Sequence, residues 1–256
     1  MNGDILSTID TIFSRRFILI MGEWGRGKTL SMSALLYYGI VFKKFRRIVS
    51  NIPFNFNDFG KAVKTVPLIE TAQFDQDVDN TNTIFCGDEI HNSLGFDSRK
   101  FRDPRVEILS TFTTDLRKDE SIFVGTIQYA DWLEFRASTI LQLIIIQNWI
   151  NTYSKDEKED RELRVQNKDF WSRWRIIDRK DNQELELVVN LYEFLGIYDT
   201  RFKPHKIICN HKDYCQNHKF SSNKARDIYF EQCNTDIVSA RKNWLEDNRK
   251  LCSLKI

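Results

Sequence analysis

The stretch that decides the fold is FILIMGEWGRGKTLSMS, which runs from residue 17 to residue 33. Residues 17–21 form an apolar run of strand length that ends at a glycine. From Thr29 to about Lys44, apolar residues recur at helical spacing. The sequence therefore predicts a strand, a glycine-containing loop and a helix in direct succession.

The loop of this unit, GEWGRGKT at residues 22–29, satisfies the Walker A pattern G-x-x-x-x-G-K-[S/T] in full. Its glycines let backbone N–H groups surround phosphates, and the helix N-terminus adds a positive dipole end. We expect Lys28 to reach the β- and γ-phosphates of ATP and the Thr29 hydroxyl to ligate Mg²⁺. A plain glycine turn is the alternative. The residues predicted to bind the nucleotide are Gly22, Glu23, Trp24, Gly25, Arg26, Gly27, Lys28, Thr29 and Leu30.

A second candidate element, TIFCGDE at residues 83–89, places two acids at the end of an apolar strand. Ligands of α/β sheets bind at the carboxyl ends of the strands. As in a Walker B motif, Asp88 is expected to hold Mg²⁺ through a water, and Glu89 to orient and polarise the attacking water. The alternative is that both acids only cap the following turn.

A polar residue, Gln128, ends the next predicted strand, SIFVGTIQ, at residues 121–128. Beside the acidic strand, it is a candidate for sensing the γ-phosphate or positioning the attacking water. Arg117 and Arg136 flank this strand and are candidates for neutralising transition-state charge, in their own or a neighbouring subunit. Ordinary surface positions are the alternative for both arginines.

Further apolar strands are predicted within RRIVSNIPF at residues 46–54 and ILQLIIIQ at residues 140–147, and a helix at residues 103–120. Residues 55–82 are predicted to form a loop with one short helix. Strands that alternate with helices indicate an α/β fold with a mostly parallel sheet and helices on both faces.

The overall composition restricts the class of protein. The 256 residues suffice for one α/β domain and an appendage, and the net charge of +2 leaves nucleic-acid binding to local basic clusters. No apolar run approaches the roughly 20 residues of a membrane span. Five unevenly spaced cysteines do not make a disulfide framework, so we expect a reducing, cytoplasmic location.

The composition changes near residue 151, so we predict a core at residues 1–150 and a C-terminal extension at residues 151–256. The extension opens with NTYSKDEKEDRELR at residues 151–164, expected to be a solvated loop or helix face. The runs FWSRWRIID and ELELVVNLYEF then predict a β-hairpin at the edge of the sheet. A polar segment and a terminal helix at about residues 223–248 complete the extension.

The polar segment contains CNHKDYCQNH, whose thiol and imidazole groups are a candidate zinc site. Its spacing is not a common zinc-finger spacing, and an exposed loop is the alternative. The four candidate ligands are Cys209, His211, Cys215 and His218.

Three basic clusters are candidates for DNA contact: KKFRR at residues 43–47, RKFRDPR at 99–105 and FWSRWR at 170–175. The first closes a helix, where cations favour the dipole end, and Trp171 and Trp174 of the third can instead pack the hairpin. The loop after Glu89, which contains the second cluster, is the preferred candidate.

The order of these motifs resembles the P-loop ATPases of the FtsK/HerA superfamily, and within it the Zot-like proteins and viral genome-packaging ATPases. The motifs are GEWGRGKT, RRIVSNIPF, CGDEIHNSLGFDSR, DLRKDESIFVGTIQ and DWLEFR, over about residues 17–147. LGIYDTRF at residues 195–202 is similar to a tyrosine-aspartate-threonine stretch that often follows the core in these proteins.

The resemblance implies a RecA-like core that assembles into a homo-oligomeric ring and moves DNA by ATP hydrolysis. Lys28, Thr29, Asp88, Glu89 and Gln128 stand in the matching positions. Zot-like proteins of filamentous phages usually carry a membrane span after the core, and none is visible here. A cytoplasmic packaging motor, associated with the capsid or other virion proteins, fits the resemblance better.

Two other functions are kept as alternatives. A replication initiator or helicase loader of the AAA+ type normally carries a helical lid with a sensor arginine directly after the fifth strand, where this chain has its charged stretch and hairpin. A nucleotide-gated assembly protein with little turnover is the other.

Overall fold

The computed structural model describes residues 2–43, 45, 47–56, 64–67, 80–93, 116, 120–133 and 135–198. Its helices are α1 Asn2–Phe13, α2 Lys28–Lys43, α3 Ile90–Ser93, α4 Phe135–Ile140 and α5 Glu157–Asn167. Two 3₁₀ turns occupy Ala130–Trp132 and Tyr192–Phe194. The strands are β1 Phe17–Met21, β2 Arg47–Ser50, β3 Lys64–Pro67, β4 Thr83–Gly87, β5 Ile122–Ile127, β6 Leu143–Trp149, β7 Trp171–Asp178 and β8 Gln183–Asn190.

The strands form one eight-stranded sheet in the order β3-β2-β4-β5-β1-β6-β7-β8. The six strands from β3 to β6 are parallel, and β7 and β8 are antiparallel additions at one edge. The strand that precedes the glycine loop, β1, is separated from the acidic strand β4 by β5. The predicted RecA-like core is confirmed. Because the six strands are parallel, their carboxyl ends lie along one edge of the sheet.

Alternating side chains of β1 enter two apolar layers, one on each face of the sheet. Ile18 and Ile20 pack with residues of α1 and α2, whereas Phe17 and Leu19 pack with Ile90 of α3 and other residues of the second layer. All six residues of β5 are buried. Burial on both faces explains the continuous apolar runs of these strands, and the predicted helical covering of both faces is confirmed.

Helix α1 was not predicted from the sequence. It packs beside α2, where Gly39 leaves room for a close approach: a Cβ on Gly39 would lie 2.9 Å from both Phe13 Cζ and Ile84 Cδ1. Ile9 and Ile12 are fully buried together with Phe13. Their spacing of three and four residues gives α1 one apolar stripe toward the core.

The prediction of a loop with one short helix at residues 55–82 was wrong at β3. Lys64–Pro67 pairs in parallel with β2 at the edge of the sheet. Proline cannot donate an N–H to a sheet, but an edge strand tolerates it because one side of that strand has no neighbour to pair with. Four residues are too few for alternation to indicate a strand. Residues 57–63 and 68–79 lie outside the described residues, as does the helix predicted at 103–120 apart from residues 116 and 120.

The predicted hairpin is confirmed, because β7 pairs with β6 and with β8 in antiparallel register. Its turn is held by a buried ion pair in which the Arg15 guanidinium donates to the Asp178 carboxylate at 2.5 Å and also to Asp181. Asp178 additionally accepts the backbone N–H of Lys180 at 3.0 Å. Among the described helices, none has the length and apolar composition needed to cross a membrane.

Candidate nucleotide site

The glycine loop connects β1 to α2 at the carboxyl edge of the sheet. Gly25 and Gly27 have φ values of 68° and 87°, in the region that favours glycine. The Lys28 ammonium donates to the Glu23 carbonyl oxygen at 2.8 Å. The lysine is therefore folded back over its own loop, the place where a phosphate would need its charge.

The loop and the acidic strand meet at one hydrogen bond, in which the Thr29 hydroxyl donates to Asp88 Oδ1 at 2.9 Å. A hydroxyl and a carboxylate are hard oxygen donors of the kind that bind Mg²⁺ together with phosphate oxygens. This donor pair, directly beside a glycine loop, fits a magnesium ion and a nucleotide. The chain has a P-loop NTPase fold.

The two acids are held in place by the strands on both sides of β4. From the end of β2, Asn51 donates to the Asp88 carbonyl at 2.9 Å and accepts the Asp88 N–H at 2.8 Å. From β5, the Thr126 hydroxyl donates to Asp88 Oδ1 at 2.6 Å and accepts the Glu89 N–H at 2.9 Å. Glu89 has a φ of 49°, a conformation that costs energy in a non-glycine residue and is typical of functional turns. The neighbouring strands thus hold Asp88 and the backbone of Glu89 in place.

The Asp88 carboxyl lies in an environment that disfavours its charge. Burial raises its pKa above the usual value, and the hydroxyls of Thr126 and Thr29 and the Lys28 ammonium oppose this effect. A bound cation would favour the charged form. A cation bound beside Asp88 would therefore stabilise the charged carboxylate that burial disfavours.

A cavity of about 690 Å³ opens beside the loop, large enough for a complete nucleotide. Among the predicted nucleotide-binding residues, all except Gly22 line it, and Asp88 and Glu89 lie in its wall. Trp24 is 60% exposed, and Arg26 donates to Glu23 at 3.3 Å at the tip of the loop.

Trp149, the last residue of β6, also lines the cavity, and sequence reasoning missed it. A Cβ on Gly27 would lie 2.5 Å from Trp149 Cζ2, so the indole fills the space that a larger residue there would need. Trp149 Nε1 also donates to the Gly25 carbonyl at 3.4 Å. Trp149 therefore packs directly against the phosphate loop.

Helix α5 follows Trp149 after a short connection and faces the same cavity. Arg164 is only 2% exposed; its guanidinium stacks on the Trp149 ring at 4.5 Å and donates to Asp160 at 2.8 Å and to the Asn151 carbonyl at 2.6 Å. Asp160, Arg161 and Arg164 all line the cavity. The prediction of a solvated loop or helix face was correct about the helix but wrong about Arg164.

The chain returns to the site at Tyr198, within the stretch that resembles the tyrosine-aspartate-threonine motif. Tyr198 lines the cavity together with Thr29 and Asp88. Burial raises the pKa of Tyr198, and the Asp88 charge raises it further. Backbone pairing of Asn55 N–H with the Ile197 carbonyl at 2.6 Å positions this segment beside the end of β2.

Other predicted site residues are only partly described. Gln128 is 5% exposed, and its Oε1 makes no hydrogen bond to any described residue; it is not among the described residues of the cavity wall. Arg136 lies in α4, but its side chain is outside the described part of the chain, as is all of Arg117. Residues 209–218, with the four candidate zinc ligands, are likewise outside it. No cluster of three or more metal-binding side chains occurs within the described ranges.

The basic clusters are mostly engaged in structure where they are described. In the first, Lys43 pairs with Asp10 at 2.6 Å, and Arg47 is buried and donates to Thr83 at 3.0 Å. These two basic side chains therefore stabilise the fold instead of forming a basic face for DNA. The preferred cluster at residues 99–105 lies outside the described residues.

The third cluster alternates across β7. Trp174 is fully buried and donates to Ser31 Oγ at 3.2 Å, as hairpin packing predicts. Trp171 is 46% exposed, but the neighbouring Arg173 and Arg175 pair with Glu186 and Glu184. Because the two arginines have acidic partners, the positive charge of this face is largely neutralised.

Solved structures similar to this chain include the N-terminal domain of zonular occludens toxin from Neisseria meningitidis, at 15% identity and a TM-score of 0.47, covering 72% of this chain and 99% of that one. The genome packaging NTPase B204 from Sulfolobus turreted icosahedral virus 2, in complex with ATPγS, matches at 12% identity and a TM-score of 0.42, covering 67% and 96%. The DNA-packaging ATPase B204 from Sulfolobus turreted icosahedral virus matches at 14% identity and a TM-score of 0.40, covering 67% and 96%.

These are the kinds of protein that the sequence motifs resemble. Because the TM-scores are below 0.5, the fold assignment rests on the strand order and loop geometry of this chain. No family model and no curated protein matches the sequence.

Proposed function

We propose that this chain is an Mg²⁺-dependent ATPase that uses hydrolysis to translocate DNA, as part of viral genome packaging or a related process. The observation that carries the ATPase proposal is the hydrogen bond between Thr29 and Asp88. It brings the glycine loop after β1 and the acids after β4 into one site. The strand between them, β5, is followed directly by the buried Gln128.

In the proposed reaction, Lys28 binds the β- and γ-phosphates, and Thr29 and, through a water, Asp88 would hold the metal. Mg²⁺ bound there would neutralise charge on the phosphate oxygens. Glu89 orients a water and accepts its proton as the water oxygen bonds to the γ-phosphorus. The bond from that phosphorus to the bridging oxygen breaks, and ADP leaves with the electron pair. Thr126 and Asn51 hold Asp88 and the backbone of Glu89 in position through hydrogen bonds.

The ATPase proposal is tested with two variants. Lys28→Ala should abolish hydrolysis while the protein stays folded, and Glu89→Gln should still bind ATP but stop turnover. Circular dichroism and a nucleotide-binding measurement accompany each rate measurement. Hydrolysis retained by both variants would contradict the assignment of the site.

DNA translocation is the finer part of the proposal, and the motif order supports it. The hydrolysis rate should rise when single- or double-stranded DNA is added to the protein with ATP and Mg²⁺. ATP-dependent assembly into a ring without DNA stimulation would instead support the nucleotide-gated assembly function.

A replication initiator or helicase loader is the second candidate, and one observation favours it. The first helix after β6, which follows a connection of residues 150–156, carries Arg161 and Arg164 into the cavity wall. In AAA+ proteins an arginine in the lid has this position relative to the fifth strand. The antiparallel strand β7 that follows α5 favours the motor.

A further inference from the structure

The cavity beside the phosphate loop is also lined by Arg161, an arginine that is neither of the two candidates predicted from the sequence, Arg117 and Arg136. We propose that Arg161 of α5 acts in cis, contacting the terminal phosphate of the nucleotide bound by the phosphate loop of its own subunit. This inference rests on the proposed function, and it names a catalytic residue that the motifs do not contain.

Helix geometry places Arg161 on the correct face. Asp160, Arg161 and Arg164 are spaced by one, three and four residues, so they share the side of α5 that lines the cavity. The helix begins at a defined position, because Asp156 caps it by accepting the Glu159 N–H at 2.9 Å.

Arg164 locks α5 against the phosphate loop. Its guanidinium is stacked on Trp149 and bonded to Asp160 and to the Asn151 carbonyl, and Trp149 in turn packs on Gly27. Arg161 lies one turn earlier on the same helix and is exposed toward the open cavity. Arg164 is therefore a positioning residue, and Arg161 is the arginine of α5 that a ligand in the cavity can reach.

The cavity wall shows which groups Arg161 is near. Arg161 lines the same cavity as Thr29 and Asp88, and it lies one turn from Arg164, which packs on the Trp149 ring beside Gly27 of the phosphate loop. Thr29 and Asp88 are the residues proposed to hold the metal, so the γ-phosphate would lie at their end of the cavity. A guanidinium there would favour the charge that develops during phosphoryl transfer.

The experiment compares Arg161→Ala with Arg173→Ala, an exposed arginine on β7 outside the cavity. Arg161→Ala should lower the hydrolysis rate by about 10²-fold or more, with ADP affinity changed by less than about threefold, and Arg161→Lys should recover part of the rate. Arg173→Ala should leave the rate unchanged. Because Lys155 also lines the cavity, the Lys155→Ala/Arg161→Ala variant checks for replacement by the nearby lysine. An unchanged rate in that double variant overturns the proposal.

A mixing experiment separates action in cis from action in trans. Arg161→Ala subunits are mixed with Lys28→Ala subunits, each with little or no activity alone. An arginine acting in its own subunit predicts no recovery, since every subunit carries one lesion. Recovered hydrolysis would mean that Arg161 acts on a neighbouring subunit, which overturns the proposal.

Failure of the proposed ATPase function can be distinguished from failure of the inference about Arg161. If the wild-type protein binds ATPγS but hydrolyses no ATP, the arginine is assessed by binding alone. Arg161→Ala should then weaken ATPγS binding about tenfold more than ADP binding. An equal effect on both nucleotides overturns the inference about the terminal phosphate.

Discussion

Replacing Gly27 with alanine tests the packing of Trp149 against the phosphate loop. The residue has a φ of 87°, which costs a side chain about 1–2 kcal/mol. The new Cβ would also lie 2.5 Å from Trp149 Cζ2 and 2.8 Å from Cη2. Overpacking of this kind costs about 1–3 kcal/mol, because the indole is held by Arg164 on the cavity side. Gly27→Ala should therefore lower the free energy of unfolding by about 2–5 kcal/mol.

Gly196 provides a matched control within the same chain. Its φ of 95° is similar, but nothing lies within 4 Å of a Cβ built on it. Gly196→Ala should therefore cost only the backbone term, about 1–2 kcal/mol. The difference between the two variants, about 1–3 kcal/mol, is the part due to Trp149. Urea unfolding of the nucleotide-free protein, followed by circular dichroism, measures both.

A double-mutant cycle with Trp149→Ala isolates the contact. The double variant should be less destabilised than the sum of the two single variants by about 1–3 kcal/mol, since no indole remains to clash. If Gly27→Ala costs the same as Gly196→Ala, and the cycle gives a coupling energy of zero, Trp149 does not fill the space beside Gly27. The assignment of Arg164 as a positioning residue would fail with it.

Two predictions concern buried carboxylates. Asp88→Asn should raise the melting temperature of the nucleotide-free protein at pH 7 and remove its stabilisation by Mg²⁺-ATP, because burial raises the pKa of Asp88 and its charge opposes folding. In a pH series of melting curves, this gain should shrink as the pH falls and vanish below about 3.9, where the carboxyl is protonated in both states. Asp178→Asn should destabilise the protein by about 3 kcal/mol at pH 7, because it breaks a buried ion pair. The cost should not be larger, because Arg15 keeps Asp181 as a partner. The hydrogen bonds from Arg15 and from backbone N–H groups outweigh the effect of burial, so the pKa of Asp178 is lowered. The stability that the charged carboxylate contributes is therefore lost as the pH falls below about 3.9. Urea titrations at a series of pH values should show the cost of Asp178→Asn shrinking in that range.

The core of the fold could be predicted because it has simple signals. Apolar runs buried on both faces mark β1, β4 and β5, an apolar run that is half-buried on one face marks β6, and the glycine loop marks the strand that precedes α2. The hairpin was visible from its alternating pattern and its polar turn. These features depend on local sequence and on the period of the burial pattern, which a single chain displays directly.

The rest of the candidate site depends on long-range contacts that have no local pattern. Asn51 and Trp149 share one detectable property, since each stands at the carboxyl end of a parallel strand, the same rule that identified Asp88. Thr126 lies inside the buried run of β5, where a hydroxyl looks like an ordinary strand residue. Tyr198 lies 169 residues from Thr29 in the sequence, and only the folded chain brings the two together.

Helix α5 bears on the choice between the two leading functions, a DNA-translocating motor and an AAA+ loader. The charged stretch stands where an AAA+ loader has a lid helix with an arginine, and in this chain the stretch forms α5, which carries Arg161 and Arg164 to the cavity. An arginine in this position therefore no longer separates the alternatives. What separates them is the next element: β7 returns at once to pair with β6, so α5 covers the site as a single helix attached to the sheet. Because α5 is joined to two strands of the same sheet and Arg164 packs on Trp149, the helix belongs to the core instead of to a separate lid domain, which favours the motor.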